Sequence, residues 1–181
     1  MDKLTFITGN AAKADQLGRH LDIPVNHLKI ELTEIQSLDL AEIVEHKAKE
    51  AYKHIGSPVL IEDTSLTFSA LGRLPGPLIK WFLTELDNEG LCRILDGYQD
   101  RGAVAEVLFG LYDGKDLQTF RGSAKGSVAT KPRGEWGFGW DPIFIPDGYS
   151  KTWGEMTADE QKETSMRRIA LKKLEKVLKN F

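Results

Sequence analysis

KLTFITGNAAKADQLGRHL, residues 3–21, changes character twice within nineteen positions. "KLTFIT" is a short run rich in β-branched and aromatic residues and reads as a strand, Gly9-Asn10 reads as a turn, and Ala14, Leu17 and Leu21 then recur at helical spacing. The stretch is therefore strand, turn, helix. Downstream, "VNHLKIEL" reads as a second strand, and "LDLAEIVEHKAKEAYKHI" as a long amphipathic helix with Leu40, Ile43, Val44, Ala48 and Ala51 on its inner side. "PVLIEDTSLTF" returns to strand character, and this alternation predicts an α/β fold.

Further along, "GRLPGPLIKWFLTEL" holds a Pro-Gly-Pro turn and then a helix, and "NEGLCRIL" reads as another short helix. "AVAEVLFGLY" and "LQTFRGSAKGSVAT" are strand candidates joined at Asp113-Gly114, a hairpin signal, so the sheet is expected to be mixed. Residues 131–156, dense in Gly, Pro and Trp, read as a long structured loop. Thr157-Ala158-Asp159-Glu160 matches a capping box and opens the terminal helical part. There Met166, Ile169, Ala170, Leu174 and Val177 form one apolar stripe.

Composition narrows the function classes. The 181 residues are 41% hydrophobic, enough for a sizeable core, and suit one domain, 1–181, or one domain with two lobes. A net charge of −3 offers no general basic field for a nucleic-acid backbone. Lys172, Lys173, Lys176 and Lys179 make a basic end that reads as a solvated helix face. Cys92 is the only cysteine, which excludes an intramolecular disulfide and fits a reducing compartment. With no span-length apolar stretch and no signal-peptide run, we read a soluble cytoplasmic protein that binds neither membrane nor nucleic acid.

Three constellations could carry chemistry. In "ITGNAAK" a strand feeds a turn and a helix start, leaving backbone N–H groups and a positive dipole end for phosphate oxygens, with Lys13 one turn in to neutralise them. Alone, the stretch favours an ordinary turn capped by Asn10, and it lacks the glycines of the Walker A and dinucleotide motifs. The acidic set is Glu62-Asp63 with Glu34 upstream. Adjacent strand residues point to opposite faces, so both acids of the pair can line one site only if the strand ends there. Carboxylates at the carboxyl edge of an α/β sheet suit magnesium; a turn cap at Asp63 and an exposed Glu34 is the competing reading. "GEWGFGWDPIFIPDGY" is the third. Its glycines and aromatics can present flat faces to a nucleobase, and Asp141 can accept hydrogen bonds from a base edge. The alternative is a Trp-rich loop that seals the core.

"TGNAAK", "LIEDTSLTF", "LPGPLIKWFL", "GFGWDPIFIPDGY" and "SMRRIAL" occur in the order and spacing of the Ham1-like family, the inosine triphosphate pyrophosphatases, which the chain resembles over nearly its whole length. "LPGPLIKWFL" with "EGLCRIL" is most similar to the eukaryotic branch. The resemblance implies a long mixed sheet flanked by helices, two lobes with a central cleft, and a homodimer. It implies hydrolysis of purine nucleoside triphosphates, of the inosine and xanthosine type and their deoxy forms, between the α and β phosphates with magnesium. Carried over residue by residue, Thr8, Gly9, Asn10 and Lys13 fall on the triphosphate loop, and Lys47 on a second phosphate-contacting lysine. Glu34 and Asp63 fall on the metal positions, Asp63 also on the proton acceptor with Thr64 beside it, and Phe138, Gly139, Trp140 and Asp141 on the base pocket.

Departures follow from the same resemblance, the least of them Gln16, where a glutamate is common. Gln161 stands where a lysine is typical, and Ser165-Met166-Arg167 where Ser-His-Arg is typical. The missing side chains usually hold the 6-oxo edge of the base. Lys162 is adjacent but turned by about 100 degrees on a helix, and methionine donates no such hydrogen bond. Weaker preference for inosine over adenosine triphosphate is therefore expected. The rival expectations are the same reaction on another nucleotide and a nucleotide binder without turnover.

Overall fold

A computed structural model of the chain describes residues 4–9, 11–21, 25–135 and 137–178. Its elements in order are β1 (Leu4–Ile7), α1 (Ala11–Leu21), β2 (Val25–Leu28), α2 (Leu40–Ile55), β3 (Val59–Phe68), β4 (Pro75–Gly76), α3 (Ile79–Arg93), β5 (Gly102–Tyr112), β6 (Leu117–Val128), β7 (Phe144–Pro146), α4 (Ala158–Thr164) and α5 (Met166–Leu178). The strands form one seven-stranded mixed sheet, ordered β2-β1-β3-β5-β6-β7 with β4 pairing β3, flanked by helices. β1 lies parallel to β2 and β3, whereas β4 runs antiparallel to β3 and β7 to β6. The short connection between β5 and β6 leaves no room for a parallel crossover, as Asp113-Gly114 predicts.

The chain divides into two compact units. The first comprises Met1–Asp63, Val107–Gly122 and Arg167–Phe181. Its core joins Ile7, Val59, Ile61 and Leu108 of the strands to Leu40, Val44, Ala48 and Ala51 of α2. Each fully buried large apolar side chain there contributes about 1.5–3 kcal/mol. Close helix–sheet approach needs a bare backbone at Gly110, where a Cβ would stand 2.4 Å from Val44 Cγ1. α2 is fixed at both ends: the Asp39 carboxylate accepts from the Ala41 N–H, and Gly56, at φ 69°, donates to the Tyr52 carbonyl. Ala170, Leu171 and Leu174 are the buried positions of α5 in this unit.

The second unit comprises Thr64–Glu106 and Ser123–Met166. Trp140, Phe144 and Trp153 form an aromatic cluster with ring centroids 4.4 to 6.0 Å apart. The two helices expected across 79–95 abut as α3, with a non-helical joint at Asp87 (φ 55°, ψ 179°).

Four expectations need revision. The second strand stops at Leu28, and Ile30 and Leu32 turn inward to pack against the α2 core. The acidic pair does not close its strand, since β3 runs on to Phe68. Residues 131–156 are not all loop: β7 pairs with β6 over Gly126–Val128. The terminal helix is two helices, broken at Ser165 in extended conformation, and its stripe buries Leu171 while Ile169 faces outward. Among the described residues no helix is long and apolar enough to cross a membrane.

Candidate active site

Because β3 continues through Glu62 and Asp63, the pleat sends their side chains to opposite faces. Each carboxylate meets cations from a different helix. Asp63 faces α2, where Lys47 Nζ donates to its Oδ2 at 2.6 Å and reaches Glu34 Oε1 at 3.4 Å. One ammonium thus bridges two carboxylates, with Lys47 14%, Asp63 19% and Glu34 36% exposed. Burial works against the charged lysine, but Asp63 and Glu34 more than offset it and hold its pKa above the ordinary value.

Glu62 faces α1 and α5. Its Oε2 accepts from Arg167 Nη1 at 2.6 Å, its Oε1 from Arg167 Nη2, and Lys13 Nζ donates to the same Oε1 at 3.2 Å. The Glu62 side chain is only 2% exposed, and a carboxylate buried so deeply requires such charged partners. Lys13 and Arg167, expected to contact phosphate and base, are therefore gathered by Glu62, the acid beside the expected metal position Asp63. The signal was two acids inside an apolar strand, one of which had to be neutralised within the protein.

Both clusters lie in the first unit, as do Thr8 and Gly9. The Thr8 N–H is not open to an anion, because it donates to the Leu28 carbonyl at 3.0 Å and prolongs the β1–β2 pairing. The first turn of α1 carries no acidic residue. Asn10 lies outside the described residues.

In the second unit Phe138 is the exposed aromatic, 64% accessible, whereas Trp140 is 8% accessible and turned into the aromatic cluster. The presented faces expected of both residues are thus divided: Phe138 presents, and Trp140 seals. Asp141 Oδ2 accepts from the Phe138 N–H at 2.6 Å. Gly137, at φ 102°, passes so close that a Cβ there would lie 2.4 Å from the same oxygen. The Gly139 carbonyl accepts from Asn88 Nδ2 at 2.9 Å. Thr64 is half-buried on β3 directly after Asp63.

Gln161, half-buried on α4, uses its side-chain amide to donate to the Trp153 carbonyl, and Trp153 Nε1 donates to Thr164 Oγ1 at 2.8 Å. Met166 is 8% exposed at the start of α5, and Ser165 occupies the joint between the two helices. Lys162 is exposed.

An ion bound by Glu34 and Asp63 would meet oxygen donors only, the chemistry of a hard divalent cation. No group of three or more His, Cys, Asp or Glu side chains suited to a metal occurs among the described residues. A two-carboxylate set fits magnesium, which keeps several waters and takes further oxygens from substrate phosphates.

Comparison with known proteins places these features in a wider context. The profile of the Ham1 family matches residues 4–177. Inosine triphosphate pyrophosphatase 2 of Trypanosoma cruzi is 42% identical over 173 residues, covering 93% of this chain and 88% of that protein. Among solved structures, the Ham1 protein of Coxiella burnetii superposes with a TM-score of 0.89 at 25% identity over the whole of both chains. A dITP/XTP pyrophosphatase of Mycobacterium abscessus gives 0.79 at 28% identity, over 95% of this chain and 98% of that one. The mixed sheet and flanking helices expected from the resemblance are the architecture these structures share with the chain.

Proposed function

This chain belongs to the Ham1 family, and we propose that it hydrolyses nucleoside and deoxynucleoside triphosphates of the inosine and xanthosine type to monophosphate and pyrophosphate. The observation that carries this reading is the Lys47 ammonium bridging Glu34 and Asp63. Cleaving the anhydride forms a bond from water oxygen to phosphorus and breaks the bridge between the α and β phosphates, with pyrophosphate leaving. The water must lose a proton, and Asp63 is the acceptor. Lys47 and Lys13 neutralise the triphosphate, each ammonium having several donors to share between its carboxylate and a phosphate oxygen. The family pattern adds Thr8, Gly9 and Asn10 as the phosphate loop, with Thr8 acting other than through its N–H, which the Leu28 carbonyl holds. Glu34 and Asp63 would hold magnesium, which would supply further charge neutralisation toward the phosphate oxygens.

In the second unit Phe138 offers a face on which a base can stack, with Gly139 and Asp141 fixing its turn and Thr64 and Ser165 contributing polar contacts; Arg167 of the first unit, held by Glu62, is carried as a further base-contacting residue by the family pattern alone. Base reading is relaxed, because Met166 offers no N–H or O–H donor and the Gln161 amide is engaged at Trp153. We place the enzyme in the cytoplasm as a homodimer of single two-lobed 1–181 domains that cleanses the nucleotide pool. Assaying inosine, xanthosine, guanosine and adenosine triphosphates for pyrophosphate release with magnesium tests the reading. Release from the inosine and xanthosine substrates is expected, with only modest preference over adenosine triphosphate. A protein that binds these nucleotides yet releases no pyrophosphate from any of them overturns it.

A further inference from the structure

Glu34 occupies an irregular segment, residues 29–39, with no ladder or helix to fix it. A carboxylate there needs an external anchor if it is to hold a metal. Contacts within the first unit hold the segment. Ile30 and Leu32 pack on the core formed with α2. Toward the end, Ser37 Oγ donates to Glu42 Oε2 at 2.6 Å and accepts from the Asp39 N–H at 2.9 Å, joining the loop to the α2 cap. Between them, Glu50 of α2 takes Thr33 with both oxygens: Oε2 accepts from the Thr33 N–H at 2.9 Å and Oε1 from the Thr33 hydroxyl at 3.0 Å. Thr33 directly precedes Glu34.

Glu50 stands three residues after Lys47, so the two side chains share one face of α2 about one turn apart. That face grips the loop at two successive residues. Lys47 takes the Glu34 carboxylate, and Glu50 takes the Thr33 backbone and hydroxyl. A side-chain contact alone would let the loop slide, whereas a hydrogen bond to the preceding backbone N–H fixes where the Glu34 Cα sits. Burial works to raise the Glu50 pKa, and the Thr33 bonds together with His46 and His54 more than offset it, so the carboxylate is the favoured form.

We propose that Glu50 is a positioning residue for the metal-holding carboxylate, clamping Thr33 so that Glu34 is delivered beside Asp63 at the Lys47 ammonium. The inference rests on the reading of Glu34 given under the proposed function. Outer contacts of this kind typically change metal affinity about 10- to 100-fold when removed. The test uses the whole protein in wild-type, Glu34→Gln, Glu50→Ala and Thr33→Val forms. Mn2+ binding in the presence of α,β-imido inosine triphosphate is followed by loss of the free-ion paramagnetic resonance signal, alongside the magnesium dependence of pyrophosphate release. Expected is Mn2+ binding weakened about tenfold in Glu50→Ala and less in Thr33→Val. The apparent magnesium constant should rise in parallel, with a smaller fall in kcat at saturating magnesium. Wild-type affinity in Glu50→Ala, with Glu34→Gln impaired, overturns the clamp alone. A wild type that binds no Mn2+, or a Glu34→Gln that binds normally, overturns the metal reading and the clamp with it. Should Glu50→Ala not fold, Thr33→Val decides, and unchanged Mn2+ binding there overturns the proposal.

Discussion

Asp63 and Glu62 are neighbours on one strand and live in opposite circumstances. Asp63 shares a single ammonium with a second carboxylate and stays partly open, which leaves negative charge for a cation and an acceptor for a proton. Glu62 is sealed and meets two cations, so its charge is already compensated inside the protein. The strand pleat alone separates the two roles. Identical chemistry placed one residue apart yields a partly open carboxylate on one face and a sealed, doubly paired one on the other.

The largest effect that would break this comparison is at Asp63. Asp63→Asn keeps the shape and removes the proton acceptor, so kcat for pyrophosphate release should fall about 10^2- to 10^4-fold while the melting temperature stays close to wild type. Loss of folding with activity retained per folded molecule would invert the assignment.

Glu62→Ala should behave the opposite way. Removing a buried carboxylate strands Arg167 and Lys13, at a cost of about 3–5 kcal/mol, a melting-temperature drop on the order of 10 °C for a chain of this length. Thermal denaturation checks it, and an unchanged midpoint would show that Glu62 anchors nothing.

A smaller effect concerns the base. Restoring donors with Met166→His and Gln161→Lys should raise the preference for inosine over adenosine triphosphate by about 1–3 kcal/mol per bond regained, read as a ratio of kcat/KM values. An unaltered ratio would remove these positions from base reading. The smallest effect is a control on the surface: Thr157→Ala loses the side-chain half of the capping box on α4 and should cost about 1 kcal/mol of stability with kcat unchanged.

Much of this was legible in the sequence, for identifiable reasons. The strand-turn-helix opening, the α2 stripe and the Thr157 box are local patterns, and the corresponding elements stand where periodicity places them. Short-range signals did not reveal what decides the site. That β3 runs on past Glu62-Asp63 to Phe68 goes with the pairing of Leu66 and Thr67 to Pro75–Gly76, which the acids themselves do not announce. Arg167 meets Glu62 across 105 positions of chain, a contact no local pattern announces. Trp140 and Phe138 are alike in sequence context, and only the neighbouring Phe144 and Trp153 determine which of them is buried. Ile169 and Leu171 flank Ala170 on α5, and which of the two is buried depends on what the helix packs against, which its own periodicity does not specify.

The most direct test is the product pattern from inosine triphosphate with magnesium, resolved by phosphorus nuclear magnetic resonance. Inosine monophosphate and pyrophosphate in equal amounts, absent with Asp63→Asn, are the predicted result. Inosine diphosphate with orthophosphate, or the same products from the Asp63→Asn protein at the wild-type rate, would contradict it.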